Sequence, residues 1–144
     1  MRLAGVVPEV VTCYPAMATE VFFQGCDRGC KDCHNPSLLP FDGGEEWGIE
    51  QVVNAIDDWS GVISLTGGDP LRQGADCKAL ALRLRECYPG KQLWLFTGEV
   101  PERLPLWVYR VFDVIKTGPY IYYLATGGFP ASSNQQLLQR GVHY

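Results

Sequence analysis

Apolar, strand-like runs recur through the chain, and each leads directly into a loop rich in glycine and polar residues. The runs are Val21-Phe22-Phe23, Val62-Ile63-Ser64-Leu65-Thr66, Gln92-Leu93-Trp94-Leu95-Phe96 and Phe112-Asp113-Val114-Ile115. Helical periodicity fills the gaps between them. Ile49, Val52, Val53, Ile56 and Trp59 share one face of a helix expected over Ile49–Trp59, which Gly61 ends. A second helix is expected over Gly74–Cys87, with Leu80, Ala81, Leu82 and Leu84 as apolar material and Pro89-Gly90 as its stop. A shorter one fits Pro101–Tyr109, since proline is tolerated in a first turn. Strands that alternate with helices imply βαβ units around a parallel sheet. Their crossovers are right-handed, which gathers the loops after the strands along one edge. That edge is where β/α proteins build active sites.

The chain has 144 residues, which is one domain with room for a substantial core. A closed eight-stranded barrel takes about 250 residues. The expected fold is therefore α/β, an open partial (β/α) barrel of about four to six parallel strands. An open side encloses a small substrate poorly and suits a loop inserted from a partner protein. At the ends of the chain, a short strand is expected at Leu3–Val7, an irregular segment at Pro8–Thr19 and a strand at Glu20–Gln24. The tail from Gly127 to Tyr144 carries only a weak final element.

Four strand-end loops converge under this arrangement. The first holds three cysteines at C-x3-C-x2-C spacing, Cys26, Cys30 and Cys33, with Gly25 and Gly29 letting it wrap something compact. The others are Gly67-Gly68-Asp69-Pro70, Thr97-Gly98-Glu99 and Lys116-Thr117-Gly118. Clustered thiolates select zinc, copper(I) or iron–sulfur clusters. Three are one short of the four that enclose a structural zinc or a [4Fe–4S] cluster, and a shortfall leaves one iron open to a small molecule. Other readings exist for the same residues. Cys30-Lys31-Asp32-Cys33-His34 also spells a haem-attachment signature, whose chemistry requires export. Cys30 and Cys33 form a redox-type C-x-x-C pair. Cys26, Cys30, Cys33 and His34 make a zinc set, although adjacent residues rarely aim at one metal. Plain packing is the remaining reading. Cys77 and Cys87 lie in the second helix as ordinary buried thiols, and Cys13 sits in a turn-like stretch.

Composition narrows the setting. A hydrophobic fraction of 47% with 19% charged residues is ordinary for a folded soluble protein. A net charge of −4 argues against a nucleic-acid-binding surface. No apolar run approaches the ~18 residues of a membrane span. The segment Met1–Glu9 has one basic residue and too short an apolar core for a signal peptide. The expected location is cytoplasmic, where thiols stay reduced.

Gly67-Gly68-Asp69-Pro70 alone is a common turn after a strand. Its functional reading is that missing side chains admit a ligand's backbone-like end, with Asp69 or nearby carbonyls accepting from an ammonium group. One βα unit beyond the cysteine loop, it becomes far more specific. The combination resembles the radical S-adenosylmethionine superfamily, and within it the activating enzymes of anaerobic (class III) ribonucleotide reductases. The resemblance rests on Phe23-Gln24-Gly25-Cys26, Cys33-His34-Asn35-Pro36, Leu65-Thr66-Gly67-Gly68-Asp69-Pro70-Leu71 and Leu95-Phe96-Thr97-Gly98. It continues through Phe112–Ile121 to Ser133-Asn134-Gln135.

The resemblance implies that Cys26, Cys30 and Cys33 bind three irons of a [4Fe–4S] cluster, and that S-adenosylmethionine chelates the fourth. It implies cofactor-binding positions at Gly67, Gly68, Asp69, Pro70, His34, Asn35, Thr97 and Lys116. The activity implied is reductive cleavage of S-adenosylmethionine and hydrogen abstraction from a glycine of the reductase. The partners implied are the reductase large subunit, through its glycyl-radical loop, and a reduced flavodoxin or ferredoxin-type electron donor. His34 also reads as a packing residue, Lys116 as a solvated charge, and Phe23 and Trp94 as core. One segment departs from the pattern. Members of this group often carry Asp-Gly-Pro-Gly-Ile-Arg before the strand leading to the cysteines, and this chain has Thr12-Cys13-Tyr14-Pro15-Ala16-Met17-Ala18-Thr19.

Overall fold

A computed structural model describes residues 1–144. Seven strands form one sheet: β1 (Arg2–Val10), β2 (Ala18–Phe23), β3 (Glu45–Glu46), β4 (Val62–Gly67), β5 (Gln92–Phe96), β6 (Val114–Thr117) and β7 (Gln136–Gln139). Their order across the sheet is β3-β1-β2-β4-β5-β6-β7. The helices are α1 (Ile49–Ala55), α2 (Gly74–Cys87) and α3 (Leu106–Val111), and short 3-10 turns at Pro36–Leu38, Pro70–Gln73, Pro101–Arg103 and Tyr122–Leu124 shape the loops.

The expected parallel core is β2-β4-β5-β6, in register from Val21↔Leu65 through Leu65↔Leu95 to Leu95↔Ile115. The sheet as a whole is mixed, with β1, β3 and β7 added antiparallel at its edges. It does not close, as expected; four of its strands are parallel, within the four to six expected, and three antiparallel strands make it an open seven-stranded α/β sheet. Antiparallel edges need only short connections, whereas each parallel strand needs a crossover of a dozen or more residues. β1 joins β2 through such a short connection, residues 11–17, and so adds a strand that a count of βα units omits.

Strand alternation divides the interior unequally. Val21, Phe23, Ile63, Leu65, Leu93, Leu95 and Ile115 point to the helical side, where they pack with buried residues from all three α-helices. The opposite face presents Ala18, Val62, Trp94 and Val114, covered by Tyr14 and by no α-helix. Full burial of each large aliphatic side chain on the helical side is worth about 1.5–3 kcal/mol, so most of the stability lies there.

Several boundaries shift for local reasons. α1 stops at Ala55, because Ile56 turns to an extended conformation (ψ 128°), and Trp59 ends 85% exposed instead of facing the core. Leu82, expected as apolar packing on α2, is exposed. The helix expected over Pro101–Tyr109 splits at Pro105, which lacks an N–H to continue a hydrogen-bonded turn. β6 begins at Val114, two residues after the expected start. Phe112 closes α3, and the Asp113 carboxylate instead accepts the Leu93 amide at 2.8 Å. β1 and β2 extend into the segment read as irregular, pairing Val10 with Ala18.

Candidate active site

The C-terminal ends of β2, β4, β5 and β6 lie side by side, as the parallel pairing requires. The cysteine loop leaves β2 and is stitched back to the chain that follows it. The Gly25 amide donates to the Leu38 carbonyl at 2.8 Å, and the Cys26 amide donates to Leu39 at 3.0 Å. The Gln24 side chain spans the same loop, donating to Ser37 and Pro40 carbonyls at 3.1 and 2.7 Å.

The turn after β4 seats against this loop. The Gly68 amide donates to the Phe23 carbonyl at 2.9 Å, and the Asp69 amide to the Gly25 carbonyl at 3.1 Å. A Cβ on Gly68 would stand 2.4 Å from the Gly25 oxygen and 2.8 Å from the Leu38 oxygen. The space freed by this glycine is therefore taken by the protein's own backbone. The turn is tight so that the cysteine loop can lie on it.

A cleft of about 140 Å³ opens at this edge. Of the positions expected to form the site, Cys26, Cys30, Cys33, His34, Asn35, Gly68 and Lys116 line it together. Gly67, Asp69, Pro70 and Thr97 do not; they form the wall behind it. Asp69 is 1% exposed, and its carboxylate is already engaged. It accepts the Arg28 Nε–H, the Gly98 amide at 3.1 Å, the Leu71 amide at 3.1 Å and the Thr97 hydroxyl, which lies 2.9 and 3.1 Å from its two oxygens.

Sequence reasoning passed over Arg28, Leu39, Gly98, Gly118, Tyr120, Ala131 and Gln135 as site residues, and all of them line the cleft. Arg28 had a readable signal, being the one cation between Cys26 and Cys30. Tyr120 and Gln135 lie in stretches that carry the family resemblance but suggest no role of their own, and the place of Gln135 depends on how the tail folds back. The Gln135 side chain donates to the Gly118 carbonyl at 3.0 Å, and Tyr120 packs on His34 with ring centroids 4.5 Å apart.

The lining contains Arg28 and Lys116 and no carboxylate; Arg28 is paired with Asp69 and Glu99, which leaves the Lys116 ammonium to meet an anionic group. Burial pushes the Lys116 ammonium below the ordinary lysine value, against the pull of the Asp69 charge. Burial likewise pushes the Cys26 thiol up. A metal reverses that second effect, because a coordinating thiol is deprotonated outright.

All six cysteines are free thiols. Cys26, Cys30 and Cys33 are each partly exposed on one cleft, whereas Cys77 is buried in the helical core. No three His, Cys, Asp or Glu side chains converge on a single point. A cluster makes a different demand, since each thiolate meets its own iron. Three soft donors spread around one cleft, with no carboxylate among them, fit an iron–sulfur cluster.

Fold and site together describe an α/β protein with three free thiols at the C-terminal edge of its parallel strands, a donor set that fits an iron–sulfur cluster. Comparison with known proteins refines that class. Residues 15–138 match the family described as 4Fe-4S single cluster domain. The anaerobic ribonucleoside-triphosphate reductase-activating protein of Escherichia coli (strain K12) is 31% identical over 70% of this chain and 71% of its own length. The protein of the same description from Salmonella typhi is 28% identical over 94% of this chain and 96% of its own length. The pyruvate formate-lyase-activating enzyme of Clostridium pasteurianum is 35% identical over a shorter stretch, 41% of this chain and 28% of its own length. The chain belongs to the 4Fe-4S single cluster family and, within it, to the family of anaerobic ribonucleoside-triphosphate reductase-activating proteins. No helix is long and apolar enough to cross a membrane.

Proposed function

We propose that this protein is a radical S-adenosylmethionine activase that installs the glycyl radical on anaerobic ribonucleoside-triphosphate reductase. The observation that carries the reading is the cleft itself. Three free thiols of a C-x3-C-x2-C loop share it with Gly68 and Lys116, at the sheet edge where β/α enzymes work. The relatives' descriptions support the same assignment.

Bound together, the [4Fe–4S] cluster and S-adenosylmethionine supply one-electron cleavage of the sulfonium and a radical that abstracts hydrogen. The chain's own residues do the rest. Cys26, Cys30 and Cys33 would hold the cluster through their thiolates, one protein ligand short of the usual four. Lys116 offers its ammonium to a carboxylate, and Gly68, His34 and Asn35 border the space beside it. Gly67, Asp69, Pro70 and Thr97 serve by setting the turn against which the cysteine loop rests. Leu39, Tyr120 and Ala131 limit water access.

The partner is the glycyl-radical loop of the reductase large subunit, presented to the open side of the sheet, and the donor is a reduced flavodoxin or ferredoxin-type protein. A second reading, activation of a formate-lyase-type enzyme, is favoured by the Clostridium pasteurianum relative. A third, a plain iron–sulfur electron carrier, leaves Lys116 in the cleft without a ligand to serve.

The test is anaerobic. The protein is reconstituted with iron and sulfide, reduced, and given S-adenosylmethionine, with Cys30→Ala as control. 5′-Deoxyadenosine from the parent and none from the control supports the activase. A loaded cluster without product favours the carrier. Presenting reductase and formate lyase in turn, with the glycyl radical read by electron paramagnetic resonance, separates the two activase readings.

A further inference from the structure

Arg28 lies inside the cysteine loop, two residues from Cys26 and two from Cys30, yet its side chain turns away from solvent and is only 13% exposed. Its Nε–H donates to Asp69 Oδ2 at 2.5 Å, and its Nη2 donates to Glu99 Oε2 at 3.2 Å. The stem rests on the turn after β5. A Cβ on Gly98 would stand 2.3 Å from Arg28 Cδ and 2.7 Å from Nε. Gly98 is therefore glycine because an arginine crosses it.

Thr97 and the Gly98 amide complete the Asp69 shell from β5, and the Leu71 amide completes it from the turn after β4. One guanidinium thus joins the cysteine loop to two strand ends. Charge-assisted pairs of this kind are strong and directional when the remaining acceptors are satisfied, as both oxygens of Asp69 are here. Lysine lacks the planar fork and reaches one carboxylate at a time.

We infer that Arg28 is the positioning residue of the cysteine loop: clamped by Asp69 and Glu99, it fixes the loop on the ends of β4 and β5 and reserves the Asp69 carboxylate for that task. The ligand in the cleft must then find its partner for an ammonium group elsewhere than on Asp69. The inference rests on the cluster reading for its purpose, but the clamp itself is a property of the polypeptide.

The test starts from the metal-free chain. Three forms are compared: the parent, Arg28→Lys, and Arg28→Gln combined with Asp69→Asn, which removes both charges of the closer pair and leaves Glu99, 19% exposed, without its partner. Alkylation of each cysteine is timed with iodoacetamide and resolved by peptide mass, beside a thermal melt. With the clamp removed, Cys26 should react about tenfold faster while Cys77 keeps its parental rate, because only the loop opens. Arg28→Lys should fall between the two.

After reconstitution, the double variant should hold less than about half the parental iron and show an altered paramagnetic spectrum of the reduced cluster. Cys26 rates within about twofold of the parent in the folded double variant would overturn the clamp. Should the double variant show no cooperative melt, Arg28→Lys decides, and parental Cys26 kinetics there overturn it equally. A clamp that passes the alkylation test in a chain that takes up no cluster would retain the positioning role and sink the proposed function instead.

Discussion

The Tyr14 hydroxyl donates a hydrogen bond to Glu20 Oε1 at 2.6 Å on the sheet face that no α-helix covers. The ring meets Trp94 edge-on at 5.1 Å and stacks on Phe96 at 5.9 Å. Burial, followed by the bond to Glu20, raises the phenol well above its ordinary value. Tyr14 belongs to the Thr12–Thr19 segment that departs from the family pattern. That segment therefore has a structural duty, because one aromatic residue closes the face opposite the helices. Tyr14→Phe should cost about 0.5–1.5 kcal/mol for the lost hydrogen bond. Tyr14→Ala should cost about 3 kcal/mol or more through lost packing. Urea unfolding of the metal-free chain measures both.

The two classes of cysteine should separate cleanly. Cys30→Ala should abolish cluster retention, read as iron per chain and visible absorbance, while shifting stability by no more than about 0.5 kcal/mol, as for a partly exposed loop residue. Cys77→Ala should do the reverse. It is 0% exposed in the helical core, so its loss should cost about 1 kcal/mol and leave iron content unchanged.

Gly68 and Gly74 make a matched pair. Gly68→Ala drives a Cβ into the Gly25 oxygen at 2.4 Å, and should destabilise by about 1–3 kcal/mol while loosening iron binding. Gly74 opens α2 at φ −58°, with nothing within 4 Å of an added Cβ. Gly74→Ala should stabilise by about 0.4–1 kcal/mol. Thermal melts of both variants, beside an iron assay, check the contrast.

Lys116 should leave a signature in pH. Its folded-state value is depressed below the ordinary 10.5, so the unfolded chain binds the proton more tightly. Its burial cost is full below the folded value and is relieved as pH climbs from there toward 10.5. The raised thiols and Tyr14 act in the opposite sense at alkaline pH, so the effect is read as a difference between proteins. Lys116→Met should be more stable than the parent near neutrality, and the advantage should shrink as pH rises through that window. Urea midpoints across pH provide the measurement, and S-adenosylmethionine binding should weaken in the same variant.

Trp59 illustrates how periodicity misleads at a helix end. It continues the apolar spacing of Ile49, Val52, Val53 and Ile56, yet it follows a residue that has left the helix and lies 85% exposed. Arg28 shows the converse. Its place in the sequence was plain, but its carboxylate partners lie 41 and 71 residues away and belong to other strand ends. Gln135 reaches the cleft because β7 pairs antiparallel with β6 and carries the tail back to it, whereas Tyr120 stands three residues beyond the end of β6.

The sequence by itself determined the parallel core, the extent of α2, and the gathering of the cysteine loop with the turns after β4, β5 and β6. These follow from local rules: alternation within strands, helical spacing, glycine at strand ends, and the handedness of crossovers. Only the tertiary structure decided that the sheet carries antiparallel edges, that Tyr14 covers the helix-free face, and that Asp69 answers to Arg28. Those outcomes depend on contacts between residues distant in the chain, where burial and charge pairing choose among partners that local pattern leaves equivalent.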